Sequence, residues 1–311
     1  MKKSEFGFIG DIAAMFGALP HSGFEPIGDD CTVLDMGADA LVISTDMLVE
    51  DVHFLRGASS AEEVGYKSLM VNLSDVAAMG ATPTAVLLSL SLSEATQGGG
   101  VEGFVRGFYE GCAKYGVALV GGDTTASRDK VCINVVAIGR ALKSNIKRRS
   151  AAKVGDQICV TGKLGASSKG LVDIMFGDLN TSAAKIHRRA QARIEEGKLL
   201  GACEAVHAMM DVSDGIASDI KHIMEQSAVG AEIELSKVPT DYDIRFATTG
   251  GEDYELLMTV DPARFDEVAE ALRSATGTKL TAIGRIVEGN ELQWLDNGVP
   301  AEIELKGFIH F

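Results

Sequence analysis

The 311-residue sequence has no run of about 18 consecutive apolar residues, so no membrane-spanning helix is expected. Its opening, Met1-Lys2-Lys3-Ser4-Glu5-Phe6, has no apolar stretch behind the lysines and does not read as a secretory signal. Cysteine is sparse: Cys31, Cys112, Cys132, Cys159 and Cys203 are odd in number, widely spaced and without a C-x-x-C pair. Free thiols in a reducing cytoplasm are expected rather than a disulfide framework. Positive charge is in deficit, with 29 Lys and Arg against 44 Asp and Glu, a net charge of −15. A nucleic-acid binder needs a basic face, so that class is set aside. Anionic substrates remain admissible if metal cations mediate them. The six histidines show no metal-type spacing. There is no Walker A loop, no convincing dinucleotide glycine fingerprint and no G-x-S-x-G nucleophile elbow.

What remains is a globular chain. At 46% hydrophobic and 23% charged it can bury a sizeable core, and its length suits one large domain or two ordinary ones. Glycine is abundant at 35 residues, which points to tight turns or close backbone approaches to a ligand. Strand-like and helix-like segments alternate, an α/β signature with mixed sheets. Residues 5 to 19 put Phe6, Ile9, Ala13 and Phe16 on one helical face. Ser60-Ala61-Glu62-Glu63 reads as a capping box opening a long helix. Strands are expected at 41–46, 85–93, 117–120, 131–139, 157–161, 207–211, 231–235, 254–260 and 280–287. Further helices are expected at 104–115, 166–176, 185–206, 214–226 and 262–275. The basic run Lys143, Lys147, Arg148, Arg149 and Lys153 breaks the rhythm and reads most simply as a solvated linker. A domain boundary is placed near residue 150, giving 1–150 and 151–311.

The acidic residues collect with glycine, serine and threonine at expected strand ends. The clusters are Gly28-Asp29-Asp30, Ser44-Thr45-Asp46, Gly121-Gly122-Asp123-Thr124-Thr125, Asp211-Val212-Ser213-Asp214-Gly215 and Gly250-Gly251-Glu252-Asp253. Asp75 adds a carboxylate from within a helix, beside Asn72 and Ser74. Any one cluster suits an ordinary turn or helix cap. Five in succession suit hard oxygen ligands for Mg²⁺, with glycines letting backbone amides approach phosphates. His53 follows the second cluster and is the only histidine near this chemistry.

These motifs, in order, resemble the thiamine-monophosphate kinases of the aminoimidazole ribonucleotide synthetase superfamily. The resemblance extends through Ile43 to Leu48, His53-Phe54, Val71 to Ala81 and Val120 to Thr125, then to Asp211 to Gly215, Gly250 to Glu255 and Lys306 to Phe311. It implies an N-terminal α/β domain that dimerises through its sheet, a C-terminal α/β domain, and ATP bound between them. The implied reaction passes a phosphoryl group from ATP to thiamine phosphate, with several Mg²⁺ ions and often a stimulating K⁺. By motif, Asp30, Ser44, Thr45, Asp46, Asp75, Asp123, Asp211 and Asp214 would form the metal shell. Asp30, Gly122, Asp123, Arg149 and Ser213 would meet ATP. His53, Glu252 and a C-terminal aromatic, here Phe308, would border the thiamine part. Leu305 stands where the family can carry tryptophan, and Val105 where some members carry an aromatic.

The acceptor is itself a phosphate, already largely deprotonated near neutral pH, so no strong base or nucleophile is needed. Direct in-line transfer without a phosphoenzyme is expected, with no catalytic side chain beyond the binding shell. Within the basic run, replacing Arg149 is expected to weaken ATP use, while replacing Lys147 or Arg148 is expected to change it little. Two alternatives stay open: another ATP-using enzyme of the same superfamily, and a non-catalytic divalent-metal or nucleotide-binding module.

Overall fold

The computed structural model describes residues 5–17, 19–93 and 99–301, with Ile303, Leu305, Gly307 and Phe308. The first half comprises α1 (Glu5–Phe16), β1 (Thr32–Asp35), β2 (Asp39–Val49), α2 (Ala61–Ala78), β3 (Thr82–Ser93), α3 (Gly99–Tyr115), β4 (Ala118–Ser127) and β5 (Cys132–Leu142). The second comprises β6 (Gln157–Thr161), α4 (Ala166–Met175), α5 (Ser182–Arg188), α6 (Ile194–Gly201), β7 (Val206–Asp211), α7 (Ile216–Ser227) and β8 (Gly230–Glu234). It continues through α8 (Ile244–Thr249), β9 (Leu256–Val260), α9 (Phe265–Thr276), β10 (Leu280–Val287), β11 (Leu292–Asp296) and β12 (Val299–Pro300).

Each half is built on one mixed sheet. The first has order β1-β2-β5-β3-β4, the second β12-β11-β8-β10-β6-β9-β7. Among the described strands, β3–β4 and β8–β11 pair in parallel and the other pairs are antiparallel. In β2, Val42, Ser44 and Leu48 are buried while Thr45 and Met47 are exposed, so one face of the first sheet meets the core.

Helix α2 lies at the centre. The expected capping box forms: Ser60 Oγ accepts from the Glu63 amide at 3.1 Å, and Glu63 accepts from the Ser60 amide at 2.8 Å. Nearly the whole helix past its first turn is buried, including polar Lys67, Ser68, Asn72 and Ser74. A helix buried all round sits between layers rather than on a surface. Its contact with α3 is close enough that a Cβ at Gly107 would lie 1.8 Å from the Glu62 carbonyl. Only glycine permits that approach.

Several sequence expectations change. The helix expected over 185–206 is broken into α5 and α6, with buried Ala190 and Ala192 in the turn between them. The strand expected to end at Val120 runs on through Gly121-Gly122-Asp123 as β4. Thus Thr45-Asp46 and Gly122-Asp123 lie inside strands, not at their ends. Paired glycines read as a turn; here Gly122, at φ 150°, passes so near the Leu88 carbonyl that a Cβ would sit 1.8 Å from it. No residue of α1 is buried, although Phe6 meets the His222 ring edge-on at 4.9 Å.

The basic run is not a solvated linker. Lys147 is 7% exposed and donates to the carbonyls of Cys203 and Val206 at 2.8 and 2.7 Å. Arg148 pairs with Glu25, and Arg149 is held by Gly28 and Asp30. Lys147 thus ties this segment to the second half while Arg148 and Arg149 hold it to the first, so these side chains are paired rather than solvated.

Candidate active site

Three carboxylates from distant parts of the chain converge. Oxygens of Asp30, Asp75 and Asp211 all lie within 4.8 Å of one another. Asp30 comes from the loop before β1, Asp75 from the last turns of α2, and Asp211 from the end of β7. Neighbouring hydroxyls fix them: Ser44 Oγ donates to Asp75 Oδ2, and Ser74 Oγ donates to Asp211 Oδ2 at 2.5 Å. Arg149 Nη2 donates to Asp30 Oδ1 at 2.7 Å, and its backbone amide donates to Asp29 at 2.8 Å.

This concentration of buried negative charge disturbs protonation. Burial, then the charges of Asp46, Asp211 and Asp30, hold the Asp75 carboxyl well above the usual range. Burial and Asp30 push Asp211 up to about 8, and burial and Asp30 also raise Asp46. Oδ2 of Asp30 is sealed from solvent with no hydrogen-bond partner among the described residues. An all-oxygen donor set under mutual repulsion, with an orphaned acceptor, fits a hard divalent cation such as Mg²⁺.

Two loops beside the cluster are laced together. The Glu252 amide donates to the Ser213 carbonyl at 2.7 Å, and the Tyr254 amide to the Val212 carbonyl at 2.9 Å. Glu252 and Tyr254 both adopt positive φ, 64° and 51°. Non-glycine residues held there store backbone strain of a kind that collects at functional sites. Phe308 donates its amide to the Asp214 carbonyl at 3.0 Å, and Asp214 reaches Asp219 through its own amide at 3.4 Å.

A second feature is an apolar pocket bordered by both His53 and Glu252, with Leu55, Leu171, Ile174 and His187 among its walls. The buried Lys67 ammonium lies 2.8 Å from Glu252 and donates to the His53 carbonyl at 3.2 Å, tying together two residues of the pocket wall. Burial opposes ionisation of Glu252, but Lys67 and His187 outweigh it and keep the carboxyl below its ordinary range. Lys67 and Asp75 are eight residues apart on α2, a rise of about 12 Å, so one rigid helix carries both the cation that holds Glu252 and a carboxylate of the cluster.

The sequence-derived residues divide accordingly. Asp30, Ser44, Asp46, Asp75 and Asp211 come together, with Arg149 beside them. His53 and Glu252 come together in the pocket. Phe308 lies against Asp214, outside that pocket's lining, and Ser213 supports the Glu252 loop. Thr45 sits on the exposed face of β2, where its hydroxyl accepts from Asn134 at 2.8 Å. Gly122 and Asp123 do not reach the cluster within this chain. Register aligns Asp123 with Ser89, Asn134 and Met47 across the sheet, three strand spacings or about 14 Å from β2. Met47 is on the opposite face of β2 from Asp46, so Asp123 is too.

Three residues at these sites carried no motif. Asp219, 1% exposed and raised well above the usual range by burial and Asp214, is an acid in a first helical turn, where acids are ordinary. Lys67 and His187 sit in helices without local signatures; only the fold brings them to Glu252.

The fold and site define a two-part α/β protein of the AIR synthase class: residues 28–141 match the AIR synthase related protein N-terminal domain, and 153–295 its C-terminal domain. A thiamine-monophosphate kinase of Haemophilus influenzae is 36% identical over 305 residues, spanning 92% of this chain and 91% of that protein. One from Bacillus subtilis is 33% identical over 327 residues, spanning 99% of each. A solved structure of AaThiL complexed with AMPPCP and TMP superposes with a TM-score of 0.86 at 32% identity, covering 100% of this chain and 99% of that one. The chain belongs to the thiamine-monophosphate kinase family.

Proposed function

We propose that this enzyme transfers the γ-phosphoryl group of ATP to thiamine phosphate, giving ADP and thiamine diphosphate, by direct in-line attack with Mg²⁺. The observation that carries the reading is the convergence of Asp30, Asp75 and Asp211, drawn from both halves of the chain, onto one point. The AaThiL structure, complexed with AMPPCP and TMP, supports the same pair of ligands here.

The residues divide the work. Asp30, Asp46, Asp75 and Asp211 would hold Mg²⁺, and Ser44 and Ser74 fix the orientation of two of those carboxylates. Mg²⁺ bound there would screen the repulsion between two polyanionic substrates. Arg149 neutralises Asp30 and is positioned at the cluster's edge, where ATP phosphates would approach. Ser213 and Asp214 follow Asp211 closely in the chain, and their carbonyls accept from the Glu252 and Phe308 amides. The pocket at His53 and Glu252 takes the thiamine end, its carboxylate suited to a cationic thiazolium and its aliphatic walls to a flat ring. Among the described residues no hydroxyl or thiol at the carboxylate cluster is paired with a histidine base, and a phosphate oxygen needs none, so both substrates are bound together when transfer occurs.

The five free cysteines support a reducing, cytoplasmic setting. No described helix is long and apolar enough to cross a membrane. We place the division between the halves near residue 150, within the segment that separates the two sheets. The outer side of the first sheet exposes Thr45 and Met47. A homodimer packed there would cover them, and it is the arrangement in which Gly122 and Asp123 can meet a carboxylate cluster.

The test is an assay of ATP consumption with thiamine phosphate, with and without Mg²⁺ and K⁺. Thiamine diphosphate and ADP should form in equal amounts, only with the divalent ion and with sequential kinetics. ATP consumption with another acceptor and none with thiamine phosphate would favour a different enzyme of the superfamily; no consumption would favour a binding module.

A further inference from the structure

The pocket holds a histidine that the sequence motifs do not single out. His187, in α5, is 6% exposed and borders the pocket together with Glu252. Its Nδ1 lies 3.3 Å from Glu252 Oε2 and 3.0 Å from Ser167 Oγ. Burial, then the Lys67 charge, pushes the imidazole down to about 4, so the ring is neutral at neutral pH.

A neutral imidazole has one N–H and one lone pair. Glu252 is ionised and can only accept, so its approach to Nδ1 is favourable only if Nδ1 carries the proton. The alternative tautomer would set a nitrogen lone pair against a carboxylate inside a low-dielectric wall. The proton on Nδ1 leaves Nε2 as a bare acceptor. Nε2 has no hydrogen bond to any described residue, yet it is not among the sealed polar atoms lacking a partner. It is therefore accessible, on a ring that borders the pocket.

The surroundings hold this state. Lys67, 2% exposed, fixes the Glu252 carboxylate, and Glu252 fixes the imidazole tautomer. The aliphatic side chains of Leu55, Leu171 and Ile174 supply apolar walls around the acceptor.

We infer that His187 is a specificity-determining residue, whose Nε2 accepts a hydrogen bond from the exocyclic amino group of the substrate's pyrimidine ring. This deepens the kinase reading and rests on it. A buried acceptor that finds a donor discriminates strongly against a ligand offering another acceptor, because two lone pairs then face each other without water.

The probe is oxythiamine phosphate, in which an oxo group replaces the amino group. Wild-type enzyme should favour thiamine phosphate over this analogue by about 10²-fold or more in kcat/KM. In His187→Phe the preference should fall below roughly tenfold, with a raised KM for thiamine phosphate and an unchanged KM for ATP. His187→Gln, which keeps an acceptor oxygen, should retain part of the preference. In ¹⁵N-histidine-labelled wild type, thiamine phosphate should shift the unprotonated Nε2 resonance lost in His187→Gln, and oxythiamine phosphate should not. That measurement decides the matter if His187→Phe does not fold. Equal use of both substrates by the wild type, or an undiminished preference in His187→Phe, overturns the inference and leaves the kinase standing. No turnover of thiamine phosphate by wild type removes both.

Discussion

Ser74 and Asp211, 137 residues apart in sequence, share a 2.5 Å hydrogen bond that joins the central helix of the first half to a strand end of the second. One carboxylate of the cluster is thus oriented by the opposite half, so the site exists only when the halves are packed. Ser74→Ala removes the donor without adding bulk. The expected result is a several-fold higher Mg²⁺ requirement and a loss of about 1 kcal/mol in unfolding stability, read by Mg²⁺ titration of activity and by denaturant melts. An unchanged Mg²⁺ requirement would show that the hydroxyl does not orient the ligand.

Asp75→Asn and Asp211→Asn should separate activity from stability. Each carboxylate is repelled by its neighbours, so replacing one with a neutral isostere relieves that repulsion when no cation is bound. Turnover should drop by about 10²-fold or more, the scale of losing one electrostatic contact in a transition-state clamp. The melting temperature in chelator should stay level or rise. A fall in both turnover and chelator-treated stability would mean that these side chains are structural.

Lys147 makes a sharper stability test. Its ammonium satisfies two carbonyls beside the junction of the halves. Lys147→Ala strands both, and should cost about 2 kcal/mol, the scale of hydrogen bonds to a charged group. Lys143, whose partner Asp35 is as exposed as itself, should cost much less on replacement by alanine. Matching denaturant midpoints for the two variants would contradict the burial argument.

How much of this was legible in the sequence depends on the range of the signal. The capping box of α2, the strand at 157–161 and the grouping of acids with glycine were readable because each rests on a few adjacent residues. The ordered motifs pointed to Asp30, Asp75 and Asp211, which the fold brings together. Gly121-Gly122 misled because glycine means a turn in most contexts, whereas here it permits a tight passage beside Leu88. The basic run misled because charge in a linker usually seeks water, while Lys147 finds carbonyls. Lys67 and His187 were invisible because their partner Glu252 is distant in sequence, and Asp219 because an acid in a first helical turn is ordinary.

His222 predicts a pH dependence. Burial, then the Arg149 charge, pushes its imidazole down to about 4, against about 6.5 in an unfolded chain. Between those values the unfolded state holds the extra proton, so stability contributed by the neutral ring is present above pH 6.5 and is lost as pH falls toward 4. His187 acts with the same sign, and the raised carboxyls of Asp253, Asp211, Asp75 and Asp46 with the opposite one, so the raw curve mixes them all. The difference between wild type and His222→Phe isolates the ring, since phenylalanine keeps the edge contact with Phe6. That difference should slope by about 1.4 kcal/mol per pH unit within the window. Parallel stability curves from pH 4 to 7 would show that the ring titrates normally.

The separation of Asp123 from the carboxylate cluster predicts how inactive subunits should behave when mixed. Within one chain Asp123 lies three strands from Asp46 and on the other face of the sheet. If a second copy packs on that face, each Asp123 serves its neighbour's site. Asp75→Asn and Asp123→Asn should then each be nearly inactive alone. In a heterodimer of the two, one site collects both lesions and the other collects neither. Statistical mixing makes half the dimers hybrid, each with one intact site, so activity should return to about a quarter of wild type. If instead Asp123 serves its own chain, every site in the mixture keeps one lesion and nothing is regained. Activity measured after dissociating and reassociating the two variants together distinguishes these outcomes. A monomeric wild type by sedimentation would remove the shared-site arrangement altogether.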